Sequence, residues 1–392
     1  MAAHILVAGG GIGGLASALA LARQGHRIEL LEQASAFGEI GAGVQLGPNA
    51  TRRLRALGLE KALAAVAAQP DALTVRSAAG NDVLARMPLA QAIAQRYGAP
   101  YLCVHRADLH TLLLDAVRDQ ECIALNTDAR IVDVKFNDNV VCASSADARA
   151  WEGDALIGAD GLWSNVRQHV ATPDSPPRAT GHMAWRAMVA QSAIPAALRR
   201  HGVEVWLGPR LHAVAYPVRG GEWLNVVVIA EATSAGDVRD WDQASSLVAL
   251  QQATGRSGAA LQALLEAMPG WRAWALSDRA PLTGADELVR ERIALVGDAA
   301  HPMLPYLAQG AGMAIEDAVA LGEALGGGAP AELPNALQRY AAARWQRNAR
   351  VQARAQRNGQ IFHATGPVRL GRDLAMRTFG AALLDQPWLY AG

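Results

Sequence analysis

Residues 4–33, "HILVAGGGIGGLASALALARQGHRIELLEQ", set three glycines between an apolar strand and an apolar helix. Ile5 to Ala8 reads as a short buried strand, and Gly9, Gly11 and Gly14 follow it in a G-x-G-x-x-G spacing. Leu15, Leu19 and Ala22 recur on one helical face, and Gly25 closes that helix. Arg27 to Leu31 reads as a second strand that ends at Glu32. Each part has a physical task. Gly9 permits the tight turn, Gly11 lets a pyrophosphate approach the backbone, and Gly14 lets helix and strand pack closely. The helix N-terminus presents about half a positive charge to the phosphates. Glu32, about 20 residues on, suits the hydroxyls of an adenosine ribose. A merely structural glycine turn would not need the second strand and the acid. The acid favours an unphosphorylated ribose, as in FAD or NAD.

Two later stretches share this strand-to-turn character. "ALIGADGLWSNVR" (155–167) delivers Asp160-Gly161 from an apolar strand, with Ser164 and Arg167 after it. "RIALVGDAAHPMLPYLAQGAGMAIEDA" (292–318) runs from a strand into Gly297-Asp298, then through His301, Pro302 and Pro305 into a helix start rich in glycine and alanine. Proline fixes φ and stiffens that loop. His301 reads as a loop-shaping residue, with acid–base catalysis as the sharper alternative.

The chain has 392 residues, enough for two domains or one large domain with an insertion. Hydrophobic residues make up 51% and charged residues 18%, which speaks against disorder. The formal net charge is zero, so nothing points to nucleic acid or to an anionic membrane. Cys103, Cys122 and Cys142 fit no metal spacing and read as reduced thiols of a cytoplasmic protein, and no metal is expected. The first strand begins at once, with no signal-peptide pattern, and no apolar run reaches spanning length.

Residues 178–282 alternate like strands, with turns at Gly208-Pro209 and Gly220-Gly221. This predicts an antiparallel sheet packed over the dinucleotide-binding domain, with a ligand between the two. His212, Val214 and Tyr216 then share one face of a strand. On the residues alone, His212 and Tyr216 could equally be a satisfied core pair. The expected division is 1–177 for the first part of the dinucleotide domain, 178–282 for the sheet domain, and 283–392 for the second part with C-terminal helices. The arginines of "RYAAARWQRNARVQARAQR" (339–357) read as a solvated helix face, or alternatively as an oligomer contact.

The ordered set Gly9-x-Gly11-x-x-Gly14, Asp160-Gly161 and Gly297-Asp298 resembles the single-component FAD-dependent aromatic hydroxylases. The resemblance spans residues 4–330 and resumes at "PWLY" near the end. It implies an α/β fold, a Rossmann-like FAD-binding domain with an antiparallel β-sheet substrate domain and C-terminal helices. It further implies that Asp298 binds the ribityl hydroxyls and that Arg106 reaches the flavin side of FAD. Asp160 and Gly161 would serve FAD and the nicotinamide cofactor, and the loop "GAGVQLGPNA" (41–50), with Gln45, would run along the flavin ring. Gly310, Ala311 and Gly312 would let the backbone lie against that ring. The stretch "LHAVAYP" is similar to 3-hydroxybenzoate 6-hydroxylases and 6-hydroxynicotinate hydroxylases, which makes His212 and Tyr216 candidate catalytic residues.

The implied reaction spends NADH or NADPH as a transient reductant and O2, through a flavin hydroperoxide, to hydroxylate a small phenolic acid. Salicylate or a hydroxybenzoate is expected, with a 6-hydroxynicotinate-type or secondary-metabolite hydroxylase or epoxidase as the alternative. Pro305 and Tyr306 would line the substrate pocket. Pro305 stands where 3-hydroxybenzoate enzymes tend to carry Gln, and Gln45 and Tyr306 stand where the 6-hydroxynicotinate enzymes tend to carry His. Arg186 is the only candidate named for a substrate carboxylate. A monomer or homodimer is expected. A halogenase is disfavoured: the chain has two lysines, Lys61 and Lys135, and "GWRAW" (270–274) does not fit the halogenase tryptophan motif.

Overall fold

The computed structural model describes residues 2–38, 41–137, 139–171, 175–233, 236–255 and 257–392. The apolar run His4–Ala8 lies near the middle of a six-stranded sheet. Its order is Val289–Arg290, Ile293–Leu295, Ala155–Gly158, His4–Ala8, Arg27–Leu31 and Ile123–Asn126. All pairs are parallel except the first. A parallel sheet is covered on both faces, so its strands read as continuous apolar runs and not as alternation. The helix Ile12–Ala22 packs on the helix Gly310–Leu325, here the flavin helix, through small residues. A Cβ on Gly322 would already meet Ala20 at 3.1 Å.

The second large sheet has eight strands. Leu211, Ala213 and Ala215 of the strand Leu211–Val218 face a core shared with the helices Leu247–Thr254 and Ala259–Glu266. Val214 and Tyr216 face the opposite way, into a cluster with Tyr101, Met313 and Tyr390. The period-2 reading of this strand therefore holds. Residues 72–88, grouped with the FAD-binding part on sequence, instead supply two strands of this sheet. Ala72–Ser77 pairs with Val203–Gly208 in parallel, and Val83–Pro88 continues antiparallel. They cover an edge that would otherwise present unpaired backbone groups.

Two elements tie the sheets together. The ribbon of Gly43–Leu46 with Leu102–His105 reaches the second sheet, where Gly43 N–H donates to Asn225 Oδ1 at 2.8 Å. The 30-residue helix Leu333–Phe362 spans both. Near one end the Tyr340 hydroxyl donates to Leu295 O at 2.8 Å, and at the other Phe362 lies 5.4 Å from the His212 ring.

This helix corrects the solvated-face reading of its arginines. Arg339, Arg350 and Arg357 are exposed, but Arg344 is buried and Arg347 half-buried. The last two pair with Glu316 of the flavin helix. The partner acid lies about thirty residues away in sequence, so periodicity within the helix could not reveal it. Among the described residues no helix is long and apolar enough to cross a membrane.

Candidate active site

Gly9 adopts φ +110°, and a Cβ there would stand 2.4 Å from Ala159 O. A Cβ on Gly14 would stand 1.8 Å from Gly9 O. Only glycine closes this turn. The helix Ile12–Ala22 begins at Gly11 with no side-chain cap and no acid in its first turn, so its leading N–H groups are open to an anion. Glu32 Oε2 accepts from Gly10 N–H at 2.6 Å, and Oε1 accepts from Ala34 N–H at 2.8 Å. Each oxygen keeps acceptor capacity for a ribose hydroxyl. These residues fit the pyrophosphate and adenosine ribose of FAD.

Asp160 is held by the turn that it opens. Its carboxylate accepts from the Ser164 hydroxyl and from the N–H groups of Asn165 and Val166, at 2.8 and 3.1 Å. Burial still pushes its pKa up, against those donors. Asp160 therefore caps its own turn, and Gly161, at φ +77°, supplies the reversal. In the one-turn helix that follows, Arg167 donates to the carbonyls of Ala299 and Ala300, at 3.2 and 2.7 Å. The Asp-Gly motif thus braces the loop that carries Asp298.

Asp298 is exposed at the end of the strand Ile293–Leu295, on the side where open α/β sheets receive ligands. Gly297 N–H donates to Asp317 at 3.1 Å. Asp317 also pairs with His301 and accepts from Arg344 Nε at 2.8 Å. His301 is wholly buried in this pair, which favours its loop-shaping role. The flavin helix starts with no side-chain cap and no acid in its first turn, so its N-terminus can face the anionic end of a reduced flavin. A Cβ on Gly310 would enter open space. On Gly312 it would meet Gln309 at 3.1 Å and Ala50 at 3.4 Å. Gly312 thus packs closely on the neighbouring helix Pro48–Ala56, while Ala311 between them is half-buried. Arg106 opens the helix Arg106–Arg118. Its N–H donates to Ala42 O at 2.7 Å, and its guanidinium lies 5.6 Å from the Trp241 ring.

Between the ribbon, the second sheet and the C-terminal helices lies a cavity of about 500 Å³. Gln45, Tyr101, His212, Pro305, Tyr306 and Phe362 line it, among mostly apolar neighbours. His212 is 2% exposed, and its Nδ1 is 2.9 Å from His363 Nε2. Burial, aided by His363 and His182, holds the His212 pKa well below that of an ordinary histidine, so the ring is neutral. Tyr216 is not among the lining residues. It is hydrogen-bonded to Gln45, which in turn accepts from Tyr101 at 2.7 Å, and burial raises its pKa. The Tyr216 hydroxyl thus meets Gln45, which does line the cavity.

Residues 2–355 match the family described as FAD binding domain. The chain is 38% identical, over 94% of its length and 90% of the relative, to the 3-hydroxybenzoate 6-hydroxylase of Polaromonas naphthalenivorans (strain CJ2). It belongs to the FAD-dependent aromatic hydroxylases. It is also 37% identical to the 6-hydroxynicotinate 3-monooxygenase of Bordetella bronchiseptica (strain ATCC BAA-588 / NCTC 13252 / RB50), covering 81% of each chain. A salicylate hydroxylase solved as a substrate complex shares the fold, with TM-score 0.83, 24% identity, and coverage of 100% of this chain and 96% of that one.

Several residues of this hydroxylase site lie beyond the sequence motifs. Arg186 does not reach the cavity: it is buried against Asp242 between Trp241 and Trp274, and that desolvation lowers its pKa. The cations that line the cavity are Arg354 and Arg372, from the long helix and from the helix Gly366–Phe379. Arg354 Nε is buried with no hydrogen-bond partner among the described residues. Its signal in sequence was an arginine at a spacing shared with half-buried positions, inside a stretch that looked uniformly basic. His363, just past the long helix, carried no signal at all.

Proposed function

We propose that this hydroxylase inserts one oxygen atom of O2 into a small phenolic aromatic acid of the hydroxybenzoate class, salicylate or 3-hydroxybenzoate, with NADH or NADPH as transient reductant. The observation that carries the reading is a neutral, buried His212 on the wall of an apolar cavity that also holds Arg354. Such a cavity suits an aromatic ring, and a guanidinium among its lining residues, that of Arg354, suits its carboxylate.

When bound, reduced FAD supplies an electrophilic oxygen derived from O2. The protein must make the ring electron-rich enough to take it. A phenol has a pKa of about 10, so at pH 7 roughly one molecule in a thousand is phenolate, a deficit of about 4 kcal/mol. A neutral imidazole in hydrogen-bond contact with the hydroxyl can take that proton, and general-base help is worth about 100- to 10,000-fold. With Nδ1 engaged by His363, Nε2 is the His212 nitrogen left for the substrate. The apolar walls exclude water from the ring. The three cysteines are free thiols, in keeping with a cytoplasmic enzyme.

The test is NADH and NADPH oxidation by the FAD-loaded protein, with peroxide scored in parallel, against salicylate, 3-hydroxybenzoate, 6-hydroxynicotinate and no substrate. Fast oxidation with little peroxide for one hydroxybenzoate supports the reading. Coupled turnover of 6-hydroxynicotinate alone, or no stimulation by any compound, overturns the substrate class.

A further inference from the structure

Behind the catalytic cavity lies a second one, of about 460 Å³, lined by His182, Glu231, Asp278 and His363 among others. Tyr306 lines both cavities and forms the wall between them. His212 faces the first and His363 the second, and the hydrogen bond between their rings crosses that wall. His363 has its other ring nitrogen, Nδ1, buried with no partner among the described residues. His182 Nδ1 lies 3.1 Å from Thr180 O. A carbonyl only accepts, so Nδ1 of His182 carries its proton and Nε2 is a free acceptor. One ring nitrogen each of His182 and His363, and one Glu231 oxygen, all lie within 4.8 Å of one another. Two hydrogen bonds of about 2.8 Å through one water span about 4.6 Å.

From this geometry we propose that His363 and His182 carry the substrate proton out of the buried site, through the second cavity, to solvent. The proposal rests on the phenol-hydroxylating reading above. The phenol proton moves to His212 Nε2 as the Nδ1 proton of His212 moves to His363 Nε2. The Nδ1 proton of His363 then passes through one water to His182 Nε2. Neither His212 nor His363 holds a charge for longer than the transfer, which matters where burial disfavours imidazolium. His182 is half-buried and has Glu231 beside it, so it can hold the proton and release it. The other charged groups around His363 are Arg372, which donates to the Ile361 and Phe362 carbonyls, and Arg178 and Asp278, which pair with each other at the cavity mouth. His363 and His182 are positioning residues, acting through His212.

The experiment mixes the FAD-loaded protein with 3-hydroxybenzoate or salicylate in weakly buffered indicator dye. Phenolate absorbance and proton release are followed together by stopped flow, without NAD(P)H. His363→Gln keeps a hydrogen-bonding partner for His212 but cannot pass a proton through its amide. It should slow proton release about ten-fold or more while FAD stays bound. His182→Ala should slow release as well, and imidazole added to the buffer should restore it from the vacated space. Unchanged release in both variants overturns the relay alone. A wild-type protein that ionises neither phenol overturns the functional reading and the relay with it. A tightly held divalent metal in the purified protein, lost on His182→Ala, makes the triad a metal site and also overturns the relay.

Discussion

Arg344 Nε donates to Asp317 Oδ1 at 2.8 Å, deep between the long helix and the flavin helix. Through Asp317 this contact reaches Gly297 N–H and His301, and so fixes the loop that presents Asp298. Arg344 also donates to Glu316 at 2.8 Å, and Asn49 donates to the same acid at 2.7 Å. The network thereby joins three helices behind the cofactor site.

Breaking one side of a buried pair leaves an uncompensated charge. Arg344→Met should cost about 3–5 kcal/mol in urea unfolding, with weakened FAD retention. Wild-type stability in that variant would mean that the network is slack.

Acid should destabilise the protein in two stages. Burial, His182 and Arg372 push the His363 pKa down to about 3, and His212 shifts the same way. An unfolded histidine ionises near pH 6.5. Below that pH the unfolded chain binds protons that the folded chain refuses, so stability falls as pH drops through 6.5 and, for His363, goes on falling to about 3. The slope is about 1.4 kcal/mol per pH unit for each such histidine. Burial alone would raise the Asp317 and Glu316 pKa values, but their arginines and His301 overcome it and hold both below normal. Their contribution is present above about pH 4 and is lost as pH falls through the folded values. His363→Gln should show a shallower fall in Tm between pH 6.5 and 5 than wild type. An identical slope would remove His363 from this account.

Gly14→Ala would put a Cβ 1.8 Å from Gly9 O. The turn must open, so the purified variant should lack flavin absorbance or unfold. Full FAD occupancy would contradict the turn geometry.

Arg354→Met should raise the KM for a hydroxybenzoate by about 10- to 100-fold, the worth of a charge-assisted hydrogen bond, with a smaller effect on kcat. The corresponding uncharged phenol should lose little. Equal losses for acid and phenol would assign Arg354 to packing.

His212→Asn should lower the hydroxylation rate about 100-fold or more and divert turnover to peroxide, with FAD still bound and reducible. Full coupling in this variant would remove His212 from the chemistry.

Local signals were legible wherever one stretch of chain carries the whole constraint. The Gly9–Gly14 turn, Glu32 and the Gly297-Asp298 loop need only their own residues and the adjacent strand or helix, and they declare a nucleotide fold in the sequence. The alternation of His212, Val214 and Tyr216 likewise fixes which side chains share a face, because a strand has period two. Sequence could not say how far along that face the cavity reaches. Tertiary packing puts His212 on the cavity wall and bonds Tyr216 to Gln45.

Everything built from partners distant in the chain emerges only on packing. Arg344 looked solvated because its acids lie on another helix, and the cap that Asp160 makes on Asn165 and Val166 leaves no mark in composition. Residues 72–88 join the second sheet through pairing with Val203–Gly208, far along the chain. His363 meets His212 across 151 positions. The nucleotide-binding frame is readable from the chain alone, since short-range geometry dictates it. The surroundings of the substrate came from packing, because burial and charge pairing belong to the folded assembly and not to any segment.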